Sequence, residues 1–136
     1  MSYERPRNDY VSSTMATKLL TIEPSAMLQD AAHRMAERRV GAILVTDEAH
    51  HLIGILTERD VLRAVGSGTI EGTVEQWMTR DPITVGPEAT NGEAAMMMIH
   101  GGFRHLPVEE GGKLVGIVSI RDLIRHELDD EIPRGA

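Results

Sequence analysis

The chain has 136 residues, 41% of them hydrophobic and 26% charged, and its 14 basic against 21 acidic side chains give a formal charge of −7. A chain of that length buries roughly two thirds of the surface its unfolded form exposes, enough for a core without covalent staples. It contains no cysteine, which excludes disulfides, thiolate zinc sites and cysteine nucleophiles. The acidic balance, the absence of a basic run and a total of one Trp, two Tyr and one Phe disfavour nucleic acid as a partner, because phosphate binding needs clustered Lys and Arg. No apolar run approaches the ~20 residues of a membrane span, and residues 1–10 are polar rather than signal-like. The expectation is a cytoplasmic protein with no membrane partner.

An internal repeat organises the chain. At an offset of 63, Val11 falls on Val74, Met15 on Met78, Thr21 on Thr84, Pro24 on Pro87, Ala31 and Ala32 on Ala94 and Ala95, Met35 on Met98 and Val45 on Val108. The offset then becomes 62, with Leu52 on Leu114, Gly54 on Gly116, Ile55 on Ile117, Arg59 on Arg121, Asp60 on Asp122 and Arg63 on Arg125. The slip of one residue lies between TDEAHH and EEGGK, polar stretches in which a turn accepts a length change at little cost. This divides the chain into a leader (1–10), a first copy (11–66), a linker (67–73), a second copy (74–128) and a tail (129–136).

In chain order, each copy opens with a short extended piece, Leu19 to Ile22 or Ile83 to Val85, closed by Pro24 or Pro87. Leu28, Ala31, Ala32 and Met35 then recur at i, i+3, i+4 and i+7, one apolar face of a helix. In the second copy Gly92, Gly101 and Gly102 lower helix propensity, while Ala94, Ala95 and the run Met96 to Ile99 predict a thoroughly buried helix. The runs AILV (42–45) and HLIGIL (51–56), matched by LPV (106–108) and KLVGIV (113–118), predict β-hairpins. Their lack of polar alternation predicts sheets covered on both faces. The helical segments ERDVLRAV (58–65) and IRDLIRHEL (120–128) close the copies. The fold class is α+β, with β-α-β-β-α occurring twice.

Chemistry concentrates in Gly54-Ile-Leu-Thr-Glu-Arg-Asp60 and Gly116-Ile-Val-Ser-Ile-Arg-Asp122. Each places a hydroxyl residue at a strand-to-helix junction with a carboxylate three residues on. One reading is a helix cap, with Asp60 or Asp122 completing a capping box worth about 1 kcal/mol. The other is ligand recognition, favoured by the duplication of the motif with its Gly and Arg. A ribose cis-diol offers two donors that a carboxylate accepts, in charge-assisted bonds of about 1.5–3 kcal/mol each. Thr57 or Ser119, with the free amides of the helix start, suits a phosphate oxygen. Arg59 and Arg121 add positive charge that is either solvated or turned to phosphate.

The tandem plan, with M-T-R-D-P-I-T-V (78–85), G-F-R-H-L-P-V (102–108) and G-I-V-S-I-R-D (116–122), resembles a pair of cystathionine β-synthase (CBS) domains, or Bateman module, over about residues 11–126. The resemblance implies pseudo-twofold symmetry and two clefts between the copies, each able to hold an adenosine compound such as AMP, ADP, ATP, NAD(H) or S-adenosylmethionine. It implies crossed sets of ligand residues: Ser119, Arg121 and Asp122 with Leu20, Gly41 and Ala42, and Thr57, Arg59 and Asp60 with Ile83, Arg104 and His105. Arg104 and His105 supply a cation to one set only, so the Asp60 set is expected to prefer polyphosphates or a dinucleotide and the Asp122 set a less charged ligand such as AMP. A homodimer is also implied, covering the apolar pairs Val61-Leu62 and Leu123-Ile124. Signalling would pass to a separate protein effector, for which the acidic stretch Glu127 to Ile132 is a candidate contact.

The remaining candidates carry less. His33, His50, His51, His100, His105 and His126 lack metal-binding spacing and read as surface residues. Met96 to Met98 read as core filling rather than as an adaptable partner surface. No nucleophile stands beside Glu23, Asp47, Glu48 or Glu88, and neither a hydrolase triad nor a phosphate-cradling glycine loop is present, so no enzyme activity, catalytic cofactor or metal is expected. The competing reading is a protein-interaction adaptor whose clefts stay empty and whose aspartates only cap helices.

Overall fold

The computed structural model describes residues 9–131, so residues 1–8 of the leader and 132–136 of the tail, Ile132 included, lie outside the described residues. The elements are α1 (Val11–Thr14), β1 (Thr21–Ile22), α2 (Leu28–Arg38), β2 (Ala42–Thr46), β3 (Leu52–Thr57), α3 (Glu58–Gly66), α4 (Val74–Trp77), β4 (Thr79–Arg80), α5 (Asn91–Gly101), β5 (His105–Glu110), β6 (Lys113–Ser119) and α6 (Ile120–Glu131). They form two compact units: residues 19–82, and residues 83–131 together with 9–18.

The unit of residues 19–82 carries a four-stranded sheet in the order β1-β2-β3-β4, with β1 parallel to β2 and the other pairs antiparallel. Its core joins Ile22, Leu28, Ala31, Met35, Ile43, Val45, Leu56 and Ala64 to Val74 and Met78. All five residues of β2 are buried, those on the face opposite Ile43 and Val45 included, as expected for a strand without polar alternation. The other unit pairs β5 antiparallel with β6 over a core of Val11, Val85, Ala94, Met98, Leu106, Val108, Val118 and Leu123. Both hairpins break register one position after the equivalent valines Val45 and Val108. The repeat slip falls in their turns. In the longer turn the Asp47 carboxylate accepts from the amides of Ala49 and His51 at 2.9 Å each. The His51 amide bond, with lesser help from the His51 ring and the Ala49 amide, holds that carboxyl below the usual range.

Two expectations change. Of Ile83 to Val85, Val85 alone pairs, in an isolated parallel bridge to Val108, because Pro82 and Pro87 confine the segment. The run Met96 to Ile99 is not buried throughout. Ala94 and Met98 are buried, but Met96 is 53% and Ile99 68% exposed. Four successive residues spread around most of a helix turn and cannot all face one core.

The segments that open each sequence copy dock on the hairpin and helix of the other copy. The Val11 amide donates to Ala89 O at 2.8 Å and Ser12 to Pro87 O at 3.0 Å; at the equivalent places Val74 donates to Ala26 O at 2.8 Å and Glu75 to Pro24 O at 3.0 Å. Met15 then lies on Gly116 of β6, and Met78 on Gly54 of β3, where a Cβ would collide with the methionine sulfur and come within 3.1 Å of Ala16 O or 3.0 Å of Thr79 O. The glycine of the repeated motif therefore has a packing cause that owes nothing to ligand. Equivalent helix ends differ too: α5 ends on Gly102 at φ 73°, but α2 ends on Arg39 at φ 56°, a left-handed conformation costly for any residue with a Cβ.

Urea denaturation will show Gly54→Ala and Gly116→Ala each destabilising by about 1–3 kcal/mol through overpacking. The same measurement on Arg39→Gly will show a gain of about 1 kcal/mol from relief of the left-handed residue.

Candidate ligand-binding site

The two repeated motifs occupy equivalent strand-to-helix junctions. Ala42 pairs with Thr57, and His105 with Ser119, at the ends of the hairpins. Beyond them the carbonyl of Gly41 accepts from Glu58 N at 3.0 Å and that of Arg104 from Ile120 N at 2.9 Å. Each junction thus gathers the residue before the hairpin, the hydroxyl residue and the aspartate. Thr57 and Asp60 stand with Gly41 and Ala42 in one unit, and Ser119 and Asp122 with Arg104 and His105 in the other. Leu20 lies beside β2, its carbonyl accepting from Leu44 N at 3.0 Å. Arg59, Arg121, Ile83 and Arg104 are exposed. The crossed sets implied by the resemblance each draw on both units.

Both aspartates act as caps, as one reading of the sequence has it. Asp122 Oδ2 accepts from Ser119 N at 2.9 Å, while Ser119 Oγ accepts from Asp122 N at 3.0 Å, the reciprocal bonds of a capping box. Asp60 Oδ2 accepts from Thr57 N at 2.8 Å and from Thr57 Oγ1 at 3.1 Å. Capping does not exhaust a carboxylate, which has roughly four acceptor positions. Asp122 uses one, and among the described residues its Oδ1 accepts nothing.

Asp60 is different. Its Oδ1 accepts from an Arg63 guanidinium nitrogen at 2.9 Å, which brings its use to three positions, and the residue is only 6% exposed. The Arg63 guanidinium carbon lies 5.8 Å from the centre of the Trp77 ring, within cation–π range. Neither Arg63 nor Trp77 stands out in the motifs. A signal was available in the departure from the repeat: Arg63 has its counterpart in Arg125, but the offset that pairs Met15 with Met78 sets Thr14 against Trp77. Without an aromatic seat, Arg125 makes no ion pair with Asp122 among the described residues.

The other candidates fall outside this arrangement. His51 Nδ1 pairs with Asp47 at 3.4 Å and His33 Nε2 with Glu37 at 3.3 Å, both exposed. Among the described residues no helix is long and apolar enough to cross a membrane.

Two α/β units of this plan, each closed by a capped helix with an aspartate at its third position, define a tandem repeat protein with paired polar junctions. The CBS domain family matches the chain at residues 9–67 and 74–129, and the chain belongs to that family. A 17.7 kDa protein of Acidianus ambivalens is 40% identical over 120 residues, 88% of this chain and 73% of its own. The CBS domain-containing protein CBSCBSPB5 of Arabidopsis thaliana is 38% identical over 123 residues, 88% of this chain but only 22% of its own length. Among solved structures, the CBS-domain protein ATU1752 of Agrobacterium tumefaciens superposes with a TM-score of 0.86 at 29% identity, covering 93% of this chain and 99% of that one. CBSX2, solved in complex with AMP, gives a TM-score of 0.79 at 25% identity, covering 90% and 98%. The CBS domain pair of MJ0100, solved with 5′-methylthioadenosine and S-adenosyl-L-methionine, gives a TM-score of 0.80 at 25% identity, covering 85% and 97%. The tandem CBS pair anticipated from the repeat is thus the fold of this chain.

In ligand-free protein, Asp122→Ala will lower stability by about 1 kcal/mol through the lost cap, and Asp60→Ala by more, because it also removes the bonds from Thr57 Oγ1 and Arg63. Urea denaturation of the two variants measures the order.

Proposed function

We propose that the chain is a regulatory module that senses adenosine nucleotides, using Asp60 and Asp122 to hold ribose hydroxyls. The observation that carries this reading is half-buried Asp122 at the start of α6, whose Oδ1 accepts nothing among the described residues while its cap uses only the other oxygen. A ribose cis-diol supplies the matching donors. In this reading Ser119, Thr57 and the helix-start amides meet phosphate, Arg59 and Arg121 add charge, and Leu20, Gly41, Ala42, Ile83, Arg104 and His105 supply the remaining contacts. AMP bound to CBSX2, and the adenosyl compounds bound to the MJ0100 pair, support the ligand class.

The candidates are AMP, ADP, ATP and NAD(H), with no catalytic cofactor and no chemistry on the ligand. Arg104 and His105 favour a polyphosphate or dinucleotide for the Asp60 set and AMP for the Asp122 set. Output passes through a homodimer to a separate effector. Leu62 and Val65 on α3, and Ile124 and Leu128 on α6, are exposed apolar residues that such a dimer would cover, whereas Val61 and Leu123 are taken up within their own units. A protein that functions in this way resides in the cytoplasm, where these nucleotides are abundant.

One observation favours a second reading, that of an adaptor with vestigial sites: the bonds that Asp60 already makes to Thr57 and Arg63. The two readings separate in one experiment. Titration of the purified chain with AMP, ATP and NADH, followed by thermal shift and calorimetry, will show binding; a ligand at a hundred times its dissociation constant stabilises by about 2.7 kcal/mol. Asp122→Ala will weaken AMP by roughly ten- to a hundredfold, the value of one charge-assisted bond. No shift with any of the three compounds favours the adaptor.

A further inference from the structure

The two aspartates are equivalent in the repeat but not in their bonds, and the difference traces to one aromatic ring. Asp60 is nine-tenths buried and accepts three bonds, the third from Arg63, whose side chain is 58% exposed. Arg63 lies over Trp77, the one tryptophan of the chain. Trp77 belongs to α4, which is capped by the bond from Thr73 N to Gln76 Oε1 (2.9 Å) and held in its unit by the Val74 amide bond to Ala26 O. The guanidinium therefore has two partners, the Asp60 carboxylate and the Trp77 ring. At the equivalent place Arg125 faces no such ring, since Thr14 stands where Trp77 would, and Asp122 Oδ1 is left without a partner among the described residues.

We propose that Arg63, seated on Trp77, is an internal competitor for the Asp60 carboxylate that makes the two ribose sites unequal, so that AMP fills the Asp122 site first and reaches Asp60 only by displacing Arg63. This rests on the reading of both aspartates as ribose acceptors. A cis-diol needs two acceptor positions, and Asp60 keeps only the second position of Oδ1, since Oδ2 is filled by the two bonds from Thr57; both hydroxyls are accepted only when the guanidinium leaves. Arg63 is a specificity-determining residue that touches no ligand in this scheme. Its half-exposed ion pair and its stacking on the ring are each modest, which sets the handicap at roughly three- to tenfold rather than at complete closure. Displacing Arg63 also removes a cation from the Trp77 face, so the indole reports the second binding event and not the first.

AMP is titrated into the full chain, wild type, Arg63→Ala and Trp77→Thr, the last copying the other unit, with calorimetry for stoichiometry and tryptophan fluorescence recorded on the wild type and Arg63→Ala. The wild type is expected to show a tighter phase without a fluorescence change and a weaker phase with one. Both substitutions are expected to tighten the weaker phase by roughly three- to tenfold and leave the tighter phase in place, and Arg63→Ala to abolish the fluorescence change. Equal phases in the wild type, a weaker phase unmoved by either substitution, or a weaker phase that loses affinity in Arg63→Ala would each overturn the proposal while leaving adenosine binding intact. Absence of AMP binding in all three proteins removes the adenosine reading and this inference together.

Discussion

A methionine laid across a glycine, once in each unit, is the contact on which the rest of the structure depends. Met78 on Gly54 and Met15 on Gly116 bring the backbone of the preceding segment against the hairpin, near enough that no Cβ fits between them. Gly54 and Gly116 each lie three residues before the hydroxyl residue that caps the closing helix. The contact therefore fixes the strand whose end sets Thr57 and Asp60, or Ser119 and Asp122. Packing and polar geometry are linked through the strand: a shift of β3 or β6 would move the carboxylate with it. Close-packed interiors transmit such displacements rather than absorbing them.

Because the docked segments come from the opposite sequence copy, neither copy completes its own core. Val74 and Met78, which open the second copy, are core residues of the unit that holds the first hairpin, and Val11 serves the other. Half the chain would be a marginal unit alone, since a domain of about 60 residues buries only about 60% of its unfolded surface. Exchange of the leading segments makes each half depend on the other for apolar residues and for backbone bonds of about 2.8 Å.

Much of this was legible in the residues. The repeat offset, the apolar spacing of Leu28, Ala31 and Met35, and the hairpin runs predicted α2, β2, β3, β5, β6 and the closing helices near their observed bounds. The exchange was not legible, for a definite reason. Val11 and Val74 are equivalent by duplication, so each would suit either core, and self-comparison identifies the partners' types without saying which copy they join. In Met96 to Ile99 hydrophobic content and helical period disagree, and the period decides burial. The site was half legible. Motif position pointed to Asp60 and Asp122 together, whereas what separates them, Arg63 on Trp77, shows only where the copies cease to match.

Unequal bonding at equivalent positions also bears on how the proposed sensor would work. A ligand shifts a conformational equilibrium only by its differential affinity for the states. Two identical sites would saturate over the same narrow span of concentration, and the second copy would add amplitude but no range. Duplication creates the symmetric pair; substitution at one position then breaks it. Trp77 is half-buried, so its ring both packs against the core of its unit and offers a face to Arg63. The aspartates can then remain identical in sequence, each still capping its helix, while their remaining acceptor capacity diverges. Divergence through a neighbour preserves the cap that folding requires, which mutation of either aspartate would not.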